Sequence, residues 1–446
     1  MGDFKHNSLY ERVNKLLVSY NWSDCKFLVC EKEFQAHKLI LATSSPVFEA
    51  MFYGPLSTNN NIIITDIDPS IFQLLLNFIY TDKVDIKSIE EAYDLLYVSK
   101  KYLLDTLTDI CLEYVQSAMS VDNVIYILNI PNYMQENKVV ASALNLFCRH
   151  AYYLLDNYNY DISTSLWRKI LESDELNIKE RDLIKLLFTW TLCYKEKYKS
   201  TTDIYKRRDI LIKTGLFSLL RFYALSNDDL DAIANDPSNI LLPEEIEHIK
   251  FKIGKSENYI KYNDQICASA IPRKTIDIQW RLCLRALIRS ESPITIDSHN
   301  YCAHTRLKAD KSFFLYSLIV QSRVAPVNNF CNSIKIYNED LIISVLSEDN
   351  NSIIKKITFK KDVEYDCNVG IDFSEPLCLR KDQWYTIKFV WPHLSSYDTH
   401  LYSVQRREKN LSYMSLCNNI IQFEFEDLPS KCNTGGSLLK GFKFCL

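Results

Sequence analysis

The stretch that most constrains the fold of this chain lies between residues 24 and 85, where short strands and short helices follow each other closely. Strands are indicated by alternating apolar residues, and helices by apolar residues at helical spacing. Asp68 followed by Pro69 is a typical helix start. The predicted strands are 26–30 and 62–65, and the predicted helices are 37–43, 45–52 and 69–80. This order predicts a compact α/β module.

Amphipathic segments flank this stretch on both sides and extend the module. Apolar residues fall on one face over 8–21, and two further helices are predicted over 88–98 and 102–117. The pattern predicts an α/β domain over residues 8–118.

The rest of the chain changes period once. Residues 119–253 have a helical pattern throughout, and a polar, basic linker is predicted over 254–275. Residues 276–446 contain short alternating runs separated by turn residues, which is typical of an antiparallel β-sandwich. The predicted fold class is therefore multidomain, with α/β, all-α and all-β parts in that order.

Composition limits the function classes. The 446 residues suffice for about three domains. A net charge of −4 argues against a broad nucleic-acid surface. We find no secretory signal and no apolar run of membrane-spanning length, so we expect no membrane partner. The scattered cysteines contain no Cys-x-x-Cys pair, which favours free thiols and a cytoplasmic location, with the nucleus as an alternative.

No group of residues predicts a reaction centre. His37 is isolated and is interpreted as structural, while Asp24 and Asp66 are interpreted as capping or turn residues.

Two other groups of residues are interpreted as having no catalytic or binding role. A cluster of histidines and cysteines has no common zinc spacing, so a surface loop is favoured over a metal site. Its members are His299, Cys302, His304 and the more distant Cys331. The basic run 206–208 is predicted to be a solvated face. We therefore predict no enzyme activity, no catalytic residue, no cofactor and no metal.

Three sequence patterns of the first module carry a family resemblance. They are D-C-K-F-L-V, F-x-A-H-K-L-I-L-A-x-S-S-P-V-F-x-A-M-F-Y-G and I-x-I-x-D-I-D-P-x-x-F-x-x-L-L-x-F-I-Y-T-D. Together they resemble a BTB (POZ) domain, over residues 24–116. The resemblance implies an α/β fold that serves protein–protein contact.

The later parts resemble domains that follow BTB domains in other proteins. The segment L-x-x-x-I-L-E-S-D-E-L-N-I-K-E-R-D-L-I-K-L-L-F-T-W is similar to a BACK domain, the usual helical partner. The segments T-R-L-K-A-D-K-S-F-F-L-Y-S-L-I-V and D-F-S-E-P-L-C-L-R-K-D-Q-W-Y-T-I are similar to a PHR domain, which is a β-sandwich. The chain departs from the PHR pattern in its opening, which lacks the usual Trp- and Gly-rich sequence.

The resemblance implies a homodimer formed through the BTB domain. The apolar candidates for the interface are Val13, Leu16, Leu17, Met51 and Phe52. The alternative is that the same side chains close the core of a single protomer, and the sequence leaves both open.

The resemblance also implies binding to cullin-3, the scaffold of a ubiquitin ligase. The candidate contacts are Tyr53, Leu56, Thr58, Leu107 and Cys111. Thr58 stands where the family commonly has glutamate, so a charge-assisted contact is missing.

The sandwich is expected to bind an unknown protein substrate through its loops. The candidate substrate contacts are Asn300, Asn328, Phe330 and Trp391. We therefore expect a substrate adaptor of a cullin-3 ligase. The alternative is a scaffold without a ligase role, in transcription or signalling, and Thr58 favours that alternative.

Overall fold

A computed structural model of the chain describes residues 9–55, 61–193, 203–253, 267, 269–326, 336–349, 352–394, 398–414, 420–427 and 436–446. The chain divides into two compact units. One consists of Met1–Met119 with Asn123–Thr275, and the other of Ser120–Asp122 with Ile276–Leu446. Within the described ranges, no helix has the length and apolar character that a membrane span requires.

The first unit begins with the α/β module. Its strands are β1 (Cys25–Val29), β2 (Lys32–Ala36) and β3 (Asn61–Ile64). Its helices are α1 (Leu9–Ser19), α2 (Lys38–Ser44), α3 (Pro46–Tyr53), α4 (Pro69–Thr81), α5 (Ile89–Lys101) and α6 (Asp105–Ala118). The sheet has the order β2-β1-β3, with β1 antiparallel to β2 and parallel to β3. This confirms the predicted BTB-type α/β fold.

Local chemistry explains where these helices begin. The Ser45 hydroxyl accepts from the backbone N–H of Phe48 at 3.3 Å, and the Asp68 carboxylate accepts from that of Ser70 at 2.8 Å. Both caps precede a proline at the first helical position, where no N–H is needed. The helices then pack on the sheet through a buried aromatic cluster, in which the Phe27 and Phe72 ring centroids are 5.1 Å apart.

Helices make up the rest of the first unit. They are α7 (Val124–Asn129), α8 (Asn137–Arg149), α9 (Ala151–Tyr158), α10 (Thr164–Glu172), α11 (Glu180–Cys193), α12 (Ile204–Lys213), α13 (Asn227–Ala234) and α14 (Pro243–Lys252). The predicted helical middle region is confirmed.

The basic run at the start of α12 differs from its prediction. Arg207 is 2% exposed, and its guanidinium donates to the carbonyls of Phe188 and Ser238 at 2.8 and 2.6 Å. Arg208 is 8% exposed and forms a double hydrogen bond with the Glu245 carboxylate. The predicted solvated face is therefore wrong for these two residues, because each buried guanidinium has acceptors that compensate for its lost hydration.

Part of the predicted linker is integrated into the helical region. Arg273 is buried, and its backbone N–H donates to a Glu180 carboxylate oxygen at 2.8 Å while its guanidinium donates to the other oxygen at 2.5 Å. The same guanidinium donates to the backbone carbonyls of Leu171 and Ser173. Arg273 thus holds the C-terminal end of the segment 254–275 against α10 and α11.

The second unit is an antiparallel β region. Its strands are β4 (Arg281–Leu284), β5 (Leu287–Ser290), β6 (Ile294–Ile296), β7 (Cys302–Ala309), β8 (Phe313–Gln321), β9 (Ile336–Ser347), β10 (Ile353–Glu364), β11 (Asn368–Leu379), β12 (Tyr385–Val390), β13 (His400–Tyr402), β14 (Gln405–Arg407), β15 (Asn410–Met414), β16 (Ile420–Asp427) and β17 (Leu439–Cys445). A six-stranded sheet has the order β10-β9-β12-β7-β16-β15, and a four-stranded sheet the order β11-β8-β17-β4.

The two larger sheets share one core. Phe313 and Phe442 of the four-stranded sheet pack against Phe423 of the six-stranded sheet, with ring centroids 5.1 and 5.0 Å apart. Arg285 adds a buried ion pair with Asp427, with Nη2 2.7 Å from Oδ2. The predicted antiparallel β architecture is confirmed.

The Arg273 contacts give a stability prediction. Arg273→Ala leaves the buried Glu180 carboxylate without its cation, so we expect the free energy of unfolding to fall by about 3–5 kcal/mol. Lys274→Ala is the matched control, because the Lys274 side chain is exposed. Denaturant titration followed by circular dichroism checks both variants. An Arg273→Ala protein as stable as the Lys274→Ala protein would contradict the prediction.

Candidate interaction surfaces

His37 lies inside a closed hydrogen-bond network at the entry to α2. Its backbone N–H donates to the Tyr80 hydroxyl at 2.9 Å, and that hydroxyl lies 2.8 Å from Nδ1. Nε2 lies 2.7 Å from the Asn21 carbonyl, which only accepts, so Nε2 carries the proton and Nδ1 accepts from Tyr80. With every polar atom satisfied, His37 has a structural role.

The two aspartates considered in the sequence have different partners. Asp24 accepts from the backbone N–H of Lys38 at 2.8 Å and thereby satisfies a donor at the start of α2. Asp66 accepts from Lys101 Nζ and from the Tyr97 hydroxyl, both at 2.7 Å. The hydrogen bond from Lys101, followed by that from Tyr97, lowers the pKa of Asp66. Asp66 therefore links β3 to α5.

Two members of the predicted surface loop lie in a strand. Cys302 and His304 belong to β7 and are paired with β12, so the loop interpretation is wrong for them. His299 lies before the strand and is not part of its pairing. Cys331 lies outside the described residues. Across the described part of the chain, no group of three or more histidine, cysteine and acidic side chains gathers as a metal site would.

The predicted dimer residues are only partly accessible. Leu17 and Phe52 are each 6% exposed and belong to the protomer core. Val13, Leu16 and Met51 are half-buried. The burial of Leu17 and Phe52 thus favours the alternative that these side chains close the core of a single protomer. The three half-buried side chains still present surface that a partner could cover.

A set of exposed apolar side chains from α1, the turn after it and α2 was not predicted. We call it the N-terminal patch, and its members are Val18, Tyr20, Trp22 and Leu39, which are 73%, 44%, 84% and 67% exposed. The hydrogen bonds from His37 to Asn21 and from Lys38 to Asp24 hold the turn after α1 against the start of α2. Trp22 follows the helix, outside its apolar period, so helical spacing gave no signal for it.

The predicted cullin contacts divide in the same way. Tyr53 ends α3 and is 60% exposed, whereas Leu56 and Thr58 lie outside the described residues. Leu107 and Cys111 are both 0% exposed, and burial raises the pKa of the Cys111 thiol to about 12. These two residues are one turn apart on the buried face of α6, so they are unsuited as contacts and their assignment is corrected.

The predicted substrate contacts are buried where the structure describes them. Asn300 is 6% exposed and donates from Nδ2 to the Thr295 carbonyl at 2.7 Å. Trp391 is 3% exposed and donates from its indole nitrogen to the Tyr402 hydroxyl at 2.7 Å. Asn328 and Phe330 lie outside the described residues. Asn300 and Trp391 therefore support the sandwich from within, contrary to their expected exposure.

Trp391 belongs to a polar cluster centred on the buried Glu339 carboxylate. Glu339 accepts from the hydroxyls of Tyr402 and Tyr337, at 2.8 and 2.9 Å. Arg323 donates to the Tyr402 hydroxyl at 2.9 Å. Burial, followed by the charge of Glu339, raises the pKa of both tyrosines. The cluster satisfies its own donors and acceptors, which indicates a structural network.

The His37 network gives a second prediction. Tyr80→Phe leaves two buried polar atoms of His37 without a partner, so we expect a loss of about 1–3 kcal/mol in the free energy of unfolding. Tyr97→Phe removes the same atom from a solvent-accessible hydrogen bond to Asp66, and we expect it to cost less than about 1 kcal/mol. Urea titration of the two variants compares them, and equal losses would contradict the proposed role of the network.

Comparisons with known proteins agree with the N-terminal fold. The family model described as the BTB/POZ domain matches residues 13–119. Kelch-like protein 40 of Xenopus tropicalis is 27% identical over 229 residues, which are 50% of this chain and 35% of that protein. BTB/POZ domain-containing protein 6 of Xenopus laevis is 27% identical over 191 residues, which are 42% of this chain and 36% of that protein. The chain thus spans about a third of the length of these relatives.

One solved structure is similar to about a quarter of the chain. The BTB domain of zebrafish PATZ1 is 26% identical, and the match covers 24% of this chain and 89% of that one with a TM-score of 0.23. The strand order and the family match carry the assignment. Residues 13–119 form a BTB/POZ domain, and the chain is homologous to Kelch-like protein 40 and to BTB-domain proteins.

Proposed function

We propose that this chain is a non-enzymatic adaptor that dimerises through its BTB domain, binds cullin-3 and presents a protein substrate on its PHR-like sandwich. The BTB match at residues 13–119 carries the proposal. The homologues of this chain belong to a class of adaptors. In addition, the helical region and the β region follow the BTB domain in the order typical of such adaptors. In this proposal other subunits of the ligase supply the ubiquitin chemistry.

The N-terminal patch supports dimerisation. Trp22 and Leu39 are mostly exposed in the protomer, and grouped exposed apolar side chains are typical of a protein–protein interface. Burying each such side chain contributes about 1.5–3 kcal/mol, and in a two-fold dimer both protomers contribute the same side chains. The total from Trp22 and Leu39 of both protomers exceeds the lower estimate of the free-energy cost of association, about 4 kcal/mol.

Solution mass tests the dimer. We expect the native chain to be a dimer at micromolar concentration, and Trp22→Glu to be a monomer because a buried unpaired carboxylate is costly. Tyr205→Glu is the matched control, since Tyr205 is 71% exposed in α12 and lies outside the N-terminal patch. Light scattering after size exclusion gives the masses. A native chain that is monomeric under these conditions rules out the dimer.

Tyr53 supports the cullin-3 surface. It is exposed at the end of α3, directly before the segment that contains Leu56 and Thr58. An exposed aromatic residue is the kind of anchor that dominates protein interfaces. Thr58 lacks the carboxylate that would add a charge-assisted hydrogen bond, so the proposed affinity rests on apolar contact.

Binding of purified cullin-3 tests this surface. We expect the native chain to bind, Leu56→Asp to lose binding, and Thr58→Glu to bind about tenfold more tightly, since an added charge-assisted contact contributes about 1.4 kcal/mol or more. Tyr205→Asp is the control for a surface charge placed elsewhere. Titration calorimetry measures the four proteins.

The competing candidate is a BTB scaffold without a ligase role, which Thr58 favours. Absence of cullin-3 binding by both the native chain and Thr58→Glu would establish that candidate over the ligase adaptor. Binding by Thr58→Glu alone would show that the surface is competent and that position 58 has disabled it.

A further inference from the structure

The outer face of the six-stranded sheet contains one row of basic and polar side chains. Pairing places Lys356 of β10 opposite Ser344 of β9, Ser344 opposite Lys388 of β12, and Lys388 opposite His304 of β7. Directly paired residues of neighbouring strands point to the same face. The even-numbered positions lie on the outer face, because Ile343, Ile387 and the other odd-numbered neighbours form the core. We call these four residues the basic row.

The charges of the basic row differ from those around it. On the same face, Arg306 pairs with Glu348 and Glu426, and Lys360 pairs with Asp340. Within the described residues, Lys356 and Lys388 have no acidic partner at ion-pair distance. The face therefore neutralises its other cations and leaves two ammonium groups in one row.

The spacing of these two lysines suits a single multivalent anion. Adjacent strands are about 4.8 Å apart, so the Cα atoms of Lys356 and Lys388 are roughly 10 Å apart with Ser344 midway. Each flexible four-carbon stem can bring its ammonium group over Ser344, which is 7% exposed beneath them. His304 ends the row, and burial, followed by the charge of Lys388, lowers its pKa.

Apolar side chains border the row. Ile342 and Val390 are paired with each other in the next row of the same face, and Leu346 lies on the other side. All three are half-buried and thus present part of their surface. A ligand that fits this face combines an anionic group with apolar neighbours, as a peptide segment does and a free ion does not.

We infer that the basic row binds a phosphorylated side chain in a segment of a partner protein, with the phosphate between Lys356 and Lys388 above Ser344 and apolar flanking residues on Ile342 and Val390. A phosphate has nearly two charges and three acceptor oxygens, which matches two ammonium groups and a hydroxyl better than one carboxylate does. This inference deepens the proposed function, because it rests on the sandwich being the substrate-binding part and specifies a phosphorylated segment as the substrate class.

Fluorescence anisotropy with the full chain tests the inference. The probe is a labelled nonapeptide with phosphoserine between two Leu-Val pairs, and peptides with Ser or Asp at that position are the comparisons. We expect the phosphopeptide to bind at least tenfold more tightly than either, and Lys356→Glu and Lys388→Glu each to weaken it at least tenfold. Lys361→Glu is the matched control, because Lys361 is exposed on the same strand but at a position of opposite parity. We expect it to change affinity less than twofold.

Several results would overturn the inference. The inference fails if the unphosphorylated peptide or the Asp peptide binds as tightly as the phosphopeptide. It also fails if Lys361→Glu weakens binding of the phosphopeptide as much as Lys356→Glu does. Competition by inorganic phosphate as strong as that by unlabelled phosphopeptide would also overturn it, by showing a free-anion site. Thermal unfolding verifies that each variant is folded. If Lys388→Glu does not fold, the affinity of Lys356→Glu alone tests the inference. Cullin-3 binding measured on the same variants separates failure of this site from failure of the adaptor proposal.

Discussion

The buried ion pair between Arg273 and Glu180 is the interaction on which the organisation of the helical region most depends. It joins residues 93 positions apart, and the same guanidinium reaches backbone carbonyls at the end of α10. A buried charge is tolerated only when its hydrogen-bonding capacity is used, and a planar guanidinium can bind a carboxylate and carbonyls at once. One arginine thus closes the helical region where the apolar pattern of the sequence has already ended.

The β region uses the same solution with different residues. Arg285 bonds to the Asp427 carboxylate and to the Ser437 hydroxyl, and its guanidinium lies 4.4 Å from the centre of the Phe425 ring. Arg323 has a similar position beside Tyr402 and Glu339. Replacing one partner of such a pair is costly even though the intact pair adds little net stability. The arrangement of the strands is therefore sensitive to the loss of either partner in these networks.

The accuracy of sequence-based prediction for this chain follows from what periodicity reports. An apolar period identifies the buried face of an element, and the predicted helix 69–80 agrees with α4 to within about one residue because the buried face of α4 is almost entirely apolar. The same rule misplaced Arg207 and Arg208, since a charged residue interrupts the pattern whether it is solvated or buried with partners. Periodicity also reports nothing on which side of an apolar residue is covered. The family resemblance, and not the apolar period, made Leu107 and Cys111 candidate contacts, although α6 buries both. Trp22 was missed although it is the more exposed side chain.

Buried arginines and surface lysines have different roles in this protein. Arg208, Arg273 and Arg285 are buried, and each is paired with a carboxylate inside the chain. Lys356 and Lys388 lie on a sheet face, where water can stabilise a strongly hydrated ammonium group that has no protein partner. A face that needed these lysines only for solubility would have no reason to align them across three strands with a hydroxyl between them. Their alignment is explained if the missing partner is supplied by another molecule, because two cations at this distance repel each other until an anion lies between them.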